Sequence, residues 1–338
     1  MPTQLDAMIT RQPHLLLALL LIFPGLDTAA SERWLFLGDS ITQAGRYTDY
    51  VETWFLLNES IAPEIINLGL SSETISGLSE PDHPFPRPCV HTRLERVLER
   101  TRPDVVIACY GMNCGIYHPF SQERFKAYQD GINKLVAASR AIGAEVILLT
   151  PPPYAGRVKP RTPPDDGQSF GYKTPASDYN EVLERYAAWI LSLDGTDGIR
   201  AITLRPPVER FMEQCYPEEP VHPNVYGHEL MAEAFLQALG KDTGSELLET
   251  GISLRTDDAE WNKLIALVRQ QRLAYDRALL NDIGHGNPGV MQMDTLPLPG
   301  AETKSKTLNT AIRELLPERP VPAAVSPAKS VESLDQSH

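Results

Sequence analysis

An α/β protein with a doubly wound parallel sheet is the fold class this sequence predicts, and two observations carry the prediction. From about residue 33 to 240, short apolar runs alternate with longer amphipathic stretches. The runs are nearly continuous in apolar residues and stop at glycine or proline, which suits strands buried on both faces. Alternation of this kind sets helices on both sides of one sheet and puts any ligand site at the carboxyl ends of the strands.

Taken in order, Trp34–Leu37 ends at Gly38, Glu64–Leu68 at Gly69, and Asp104–Tyr110 at Gly111. Glu145–Leu149 runs into Thr150 and a set of prolines, and a weaker run covers Ile199–Leu204, giving about five strands. Between Ser121 and Ile142 the residues Phe125, Tyr128, Ile132, Leu135, Val136 and Ser139 step by three and four, the helical period. Thr174 before Pro175 predicts an N-cap, followed by the stripe Tyr179, Val182, Leu183, Tyr186, Ile190 and Leu193. The proline-rich segment 151–175 predicts a loop at a strand end, beside any site.

Residues 246–295 predict a helical extension or a lid, with a long helix over Asp257–Leu280 whose apolar face carries Trp261, Leu264, Ile265, Val268 and Tyr275. Residues 296–338 predict a mostly flexible tail with one short helix near Thr307–Leu315.

At the start of the chain, the apolar run Leu15–Phe23 lies between Arg11 and the small residues Thr28, Ala29 and Ala30. That order predicts a cleaved export signal over residues 1–30, with a cut near Ala30 and a periplasmic or extracellular protein. The run is too short to span a bilayer, for which about 20 apolar residues are needed, so the mature protein is expected to have no transmembrane span. A net charge of −13 sets nucleic acid aside as a partner. Cys89, Cys109, Cys114 and Cys215 fit no zinc spacing. They read as buried thiols, with disulfides open to an exported protein.

Two segments carry chemistry. Gly38-Asp39-Ser40-Ile41-Thr42 follows the first strand, where a serine can project its hydroxyl from the sheet edge. Taken alone, Ser40 reads equally well as a helix N-cap. His222-Pro223-Asn224 precedes an amphipathic helix and offers an imidazole able to accept a serine proton.

With Asn67-Leu68-Gly69 and Gly111-Met112-Asn113 between them, these blocks resemble the SGNH/GDSL hydrolases over about residues 33–240. The resemblance implies a three-layer α/β/α flavodoxin-like hydrolase domain over 31–245. It also implies acyl transfer through a Ser40 acyl-enzyme, with His222 as general base. The N–H groups of Ser40 and Gly69 and the Asn113 amide would hold the oxyanion, and no metal or organic cofactor is required. Where the family has Asp three residues before the histidine, this chain has Glu219, with Glu218 as its neighbour. Cys114 replaces the Asp that follows Asn113 in the family, which would set a thiol near the site and raise a question of oxidation sensitivity.

The loops 71–90, 115–120 and 151–175 mix aromatic, His and Arg residues with proline. Such walls suit a small or polysaccharide ester, and O-acetyl groups in particular. Lysophospholipase, thioesterase or acyltransferase activity and a non-catalytic carbohydrate-binding protein stand as alternatives. His83, His91, His118 and His228 read as structural, with His228 partly exposed. His285 reads as helical packing or as part of the lid. Oligomeric state is left open.

Overall fold

The computed structural model describes residues 31–253 and 258–316. The expected export signal, Asp257 and residues 317–338 of the expected tail lie outside them. Five strands form one wholly parallel sheet: β1 (Arg33–Gly38), β2 (Glu64–Asn67), β3 (Val105–Cys109), β4 (Glu145–Leu149) and β5 (Ile199–Ile202), in the order β2-β1-β3-β4-β5. All five expected strands are present, and the order reverses direction at β1, the topological switch point of a doubly wound sheet.

The helices of the α/β unit are α1 (Ser40–Ala44), α2 (Arg46–Asn58), α3 (Leu94–Thr101), α4 (Gln122–Ala141), α5 (Tyr179–Ser192), α6 (Arg205–Arg210), α7 (Met212–Cys215) and α8 (Val225–Ala238). Helices α2 and α8 pack together, as do α3 and α4, while α4 and α5 lie against β4 and β5. Strand residues Leu35, Phe36, Leu37, Val106, Ile107 and Leu148 have no exposed surface. Two buried faces on every central strand explain why the runs read as continuous rather than alternating. Helix α5 begins at Tyr179 after Asp178, not at the expected Thr174-Pro175 cap, because the chain turns again before entering the helix.

The extension comprises α9 (Leu247–Thr250), α10 (Ala259–Ile283), α11 (Pro288–Met291) and α12 (Leu298–Leu315). Asp258 caps α10 by accepting the Trp261 N–H. Helix α10 packs against α2, β2 and α3, and so runs along the outer edge of the sheet. The helix expected near Thr307–Leu315 is α12, which starts nine residues earlier at Leu298 and packs on α10, burying Ile312 with Leu264 and Val268. Partner surface on α10 is what holds that segment, and its own sequence gives little sign of it. Among the described residues no helix is long and apolar enough to cross a membrane.

Candidate active site

β1 delivers Ser40 to the carboxyl edge of the sheet, where the side chain of Asp39 caps α1 by accepting the Ile41 N–H at 3.0 Å. Asp39 is the N-cap and Ser40 the first helical residue, so the N-cap alternative for Ser40 falls away. Burial pushes the Asp39 carboxyl up to about 6, against the Ile41 hydrogen bond. As one of the first-turn donors, the Ser40 N–H has no partner inside its helix.

Asn224 caps α8 by accepting the Gly227 N–H at 3.0 Å. His222 is thereby held just ahead of the helix, with Nε2 2.8 Å from Ser40 Oγ. Its Nδ1 meets Glu219 Oε1 at 2.7 Å. Glu219 also accepts the His222 and Val221 N–H groups and a 2.9 Å bond from Arg161 Nη2. Partial burial raises its carboxyl, but the bonds from His222 and the main chain outweigh that and hold it below the ordinary glutamate value. Glu218 is exposed.

Gly69, expected at the oxyanion, has its N–H engaged elsewhere. Glu64, Leu68 and Leu70 donate their N–H groups toward β1 and its flanks. Gly69 faces the other way and gives its N–H to Asn67 Oδ1 at 3.0 Å. A Cβ at 69 would sit 2.5 Å from Gln43 N and 2.8 Å from the Thr42 carbonyl carbon. Glycine is needed there for close packing on α1, and its N–H does not open into the cleft. The chain reaches the cleft three residues later. Leu70–Glu73 form a turn closed by Glu73 N–H to Leu70 C=O at 3.1 Å, with Ser72 at φ 64°. That region favours glycine, and no sequence signal marks a serine there.

Every other polar main-chain group of Leu70–Glu73 is engaged. Ser71 N–H donates to Gln43 Oε1 at 3.1 Å, and Ser71 C=O accepts from Asn287 Nδ2 at 2.7 Å. Ser72 C=O accepts from Arg87 Nη1 and Glu73 C=O from Asn113 Nδ2. The Ser72 N–H has no partner among the described residues, and Ser71 and Ser72 line the same cleft as Ser40, Asn113 and His222. Asn113 is oriented by Tyr117, whose hydroxyl donates to Oδ1 at 3.1 Å, which leaves one amide hydrogen free.

The cleft has a volume of about 460 Å³. His83, Phe85 and Tyr172 form one aromatic wall, with ring centroids 4.7 Å apart for His83–Phe85 and 5.4 Å for His83–Tyr172. Arg87 also lines the cleft, over the Tyr117 ring and in a fully buried bidentate pair with Glu80. The loop 71–90 thus both braces the fold and shapes the pocket. Among the described residues of the extension none lines the cleft, and α10 packs instead against α2, β2 and α3.

All four cysteines are free thiols. Cys114 is completely buried and its thiol is pushed up to about 12 by burial, which makes it an inert core group rather than an oxidisable one. His228 is buried and stacks on Tyr47, where burial lowers it to about 3, instead of being partly exposed. His285 is buried between Asn281 and Asn287.

A serine hydroxyl beside a carboxylate-bound imidazole, at the switch point of a parallel sheet, belongs to the class of α/β serine hydrolases. Residues 36–230 match the model of the GDSL-like lipase/acylhydrolase family. The chain belongs to that family and is a carboxylic ester hydrolase. It is 24% identical over 242 residues to an acetylxylan esterase of Geobacillus stearothermophilus, covering 64% of this chain and 97% of the relative. A solved structure of a catalytic variant of a Geobacillus stearothermophilus acetylxylan esterase matches with TM-score 0.48 and 20% identity, over 63% of this chain and 96% of that one. A gut microbial diltiazem-metabolizing enzyme matches with TM-score 0.46 and 20% identity, over 62% of this chain and 47% of its own.

Proposed function

We propose that this chain is a serine esterase that removes short acyl groups, acetyl foremost, from carbohydrate esters. The observation that carries the mechanism is the 2.8 Å contact of Ser40 Oγ with His222 Nε2. Ser40 attacks the ester carbonyl as His222 takes its proton, and Glu219 holds the resulting imidazolium. The N–H groups of Ser40 and Ser72 and the free Asn113 amide hydrogen receive the oxyanion, Ser72 taking the part the family resemblance gives to Gly69. His222 returns its proton to the departing alcohol, and water enters by the same base to release the acid from Ser40.

The carbohydrate reading is supported by the aromatic wall of His83, Phe85 and Tyr172 beside the nucleophile, since sugar rings stack on such faces through their C–H groups, and by the acetylxylan esterase relative. With the leader expected at residues 1–30, the enzyme acts outside the cytoplasm.

Purified protein and a Ser40→Ala variant should be compared on p-nitrophenyl esters of two to eight carbons and on acetylated xylan. We expect turnover that falls beyond about four carbons, acetate release from the glycan, and loss of both in the variant. Activity rising with chain length would replace the carbohydrate reading by a lipid or thioester one. Undiminished activity of Ser40→Ala would end the mechanism.

A further inference from the structure

Asn287 lies in the extension, 57 residues beyond the end of the family match at 230, yet its side chain reaches the turn that borders the nucleophile. It is 2% exposed, and its two side-chain atoms have separate tasks. Oδ1 caps α11 by accepting the Val290 N–H at 3.1 Å, while Nδ2 donates to Ser71 C=O at 2.7 Å. That carbonyl belongs to the same peptide unit as the Ser72 N–H. In a planar trans peptide the C=O and N–H point in opposite directions. Whatever fixes the carbonyl on the extension side therefore fixes the N–H on the cleft side.

The unit needs such a restraint. The turn places a non-glycine residue at φ 64°, a left-handed conformation that is strained for any residue with a Cβ. Rotating the 71–72 peptide converts a turn with positive φ at its third residue into one without it. That rotation would relieve Ser72 and turn its N–H out of the cleft. Asn287 is anchored against following such a movement. Asp276 Oδ2 on α10 accepts the outward N–H of Asn67 at 3.0 Å, and Arg96 on α3 donates to Ile283 C=O at 2.9 Å and to Gly284 C=O at 3.2 Å.

We propose that Asn287 is a positioning residue for catalysis: by holding Ser71 C=O it keeps the Ser72 N–H aimed at the oxyanion. This rests on the esterase reading with Ser72 as a donor. An oxyanion donor contributes in the transition state but hardly to ground-state binding, so turning it away lowers kcat.

Asn287→Asp separates the two tasks, since a carboxylate oxygen still caps α11 but cannot donate to Ser71. Hydrogen exchange of peptides covering residues 68–75 and steady-state kinetics on p-nitrophenyl acetate should be measured for the full chain and this variant. We expect faster exchange in that segment alone and kcat lower by about tenfold with KM unchanged. Asn287→Gln, which keeps a donor, should recover part of the loss.

Unchanged exchange would overturn the proposal whether or not the protein is active. Faster exchange with unchanged kcat would overturn the catalytic consequence while leaving the esterase reading intact. Absence of turnover in the unaltered chain would instead count against that reading, with the exchange result still deciding whether Asn287 holds the turn.

Discussion

A single carboxylate oxygen of Glu219 accepts both the Nδ1 and the main-chain N–H of His222, while its second oxygen takes Val221 N–H and Arg161. The imidazole is thus fixed in position and tautomer by one residue three places earlier. Replacing Glu219 by Gln keeps the size but offers Nδ1 an amide whose orientation is ambiguous. We expect kcat to fall by about 10²–10³-fold, somewhat less than the loss for such a change in a fully buried triad. Glu219→Asp, one methylene shorter, should lose less. Steady-state rates on a short nitrophenyl ester check both, and a Glu219→Gln enzyme at full rate would reduce the machinery to Ser40 and His222.

Arg161 adds a positive charge to the same carboxylate. The pair is about one-third exposed, so the bond steadies Glu219 modestly, and Arg161→Gln should lower kcat on a short nitrophenyl ester by only about two- to threefold, less still at high salt. A loss as large as that of Glu219→Gln would contradict this account.

Ser72 and Gly69 are separable by mutation. Ser72→Gly retains the N–H and suits φ 64°, so activity should stay within about twofold and stability rise by up to ~1 kcal/mol. Gly69→Ala drives a methyl into the α1 backbone at Gln43 and should cost about 1–3 kcal/mol. Denaturant midpoints alongside rates distinguish the two. Harmless Gly69→Ala with damaging Ser72→Gly would reverse the assignment.

Asp276 gives a pH signature of stability. Burial pushes its carboxyl up to about 8, with Arg272 and the Asn67 N–H only partly offsetting this. The folded state then keeps a proton that the unfolded chain sheds near 3.8. Its contribution is fully present below about pH 4 and is lost as pH rises toward 8. Asp276→Asn, which can still accept from Asn67, should flatten that decline, giving little change at pH 4 and a higher denaturant midpoint at pH 8. Parallel curves for the two proteins would refute the assignment.

What the sequence made legible follows from how each feature is encoded. Strands buried on both faces write themselves as apolar runs, so all five could be placed, and Ser40, Glu219, Asn113 and His222 sit at the ends of recognisable elements. The direction of the Gly69 N–H, toward Asn67 Oδ1, was not legible, because a glycine at that position can serve packing or an oxyanion. Ser72, which lines the cleft, left no sequence signal because its N–H is presented by a backbone angle. Asp276 and Asn287 were missed because their partners, Asn67 and Ser71, lie more than two hundred residues away in sequence, where no local pattern can link them.

The run of α10 along β2 has a consequence for anyone who trims or grafts this domain. β2 is an outermost strand of the sheet, and its outward N–H at Asn67 is satisfied from α10. A chain cut after α8 would bare that strand margin, with Ile65 and Ile66 beside it, to pairing with other molecules. Such a fragment should self-associate through strand addition, so the indivisible unit for engineering reaches at least to α10 and exceeds the stretch that defines the family.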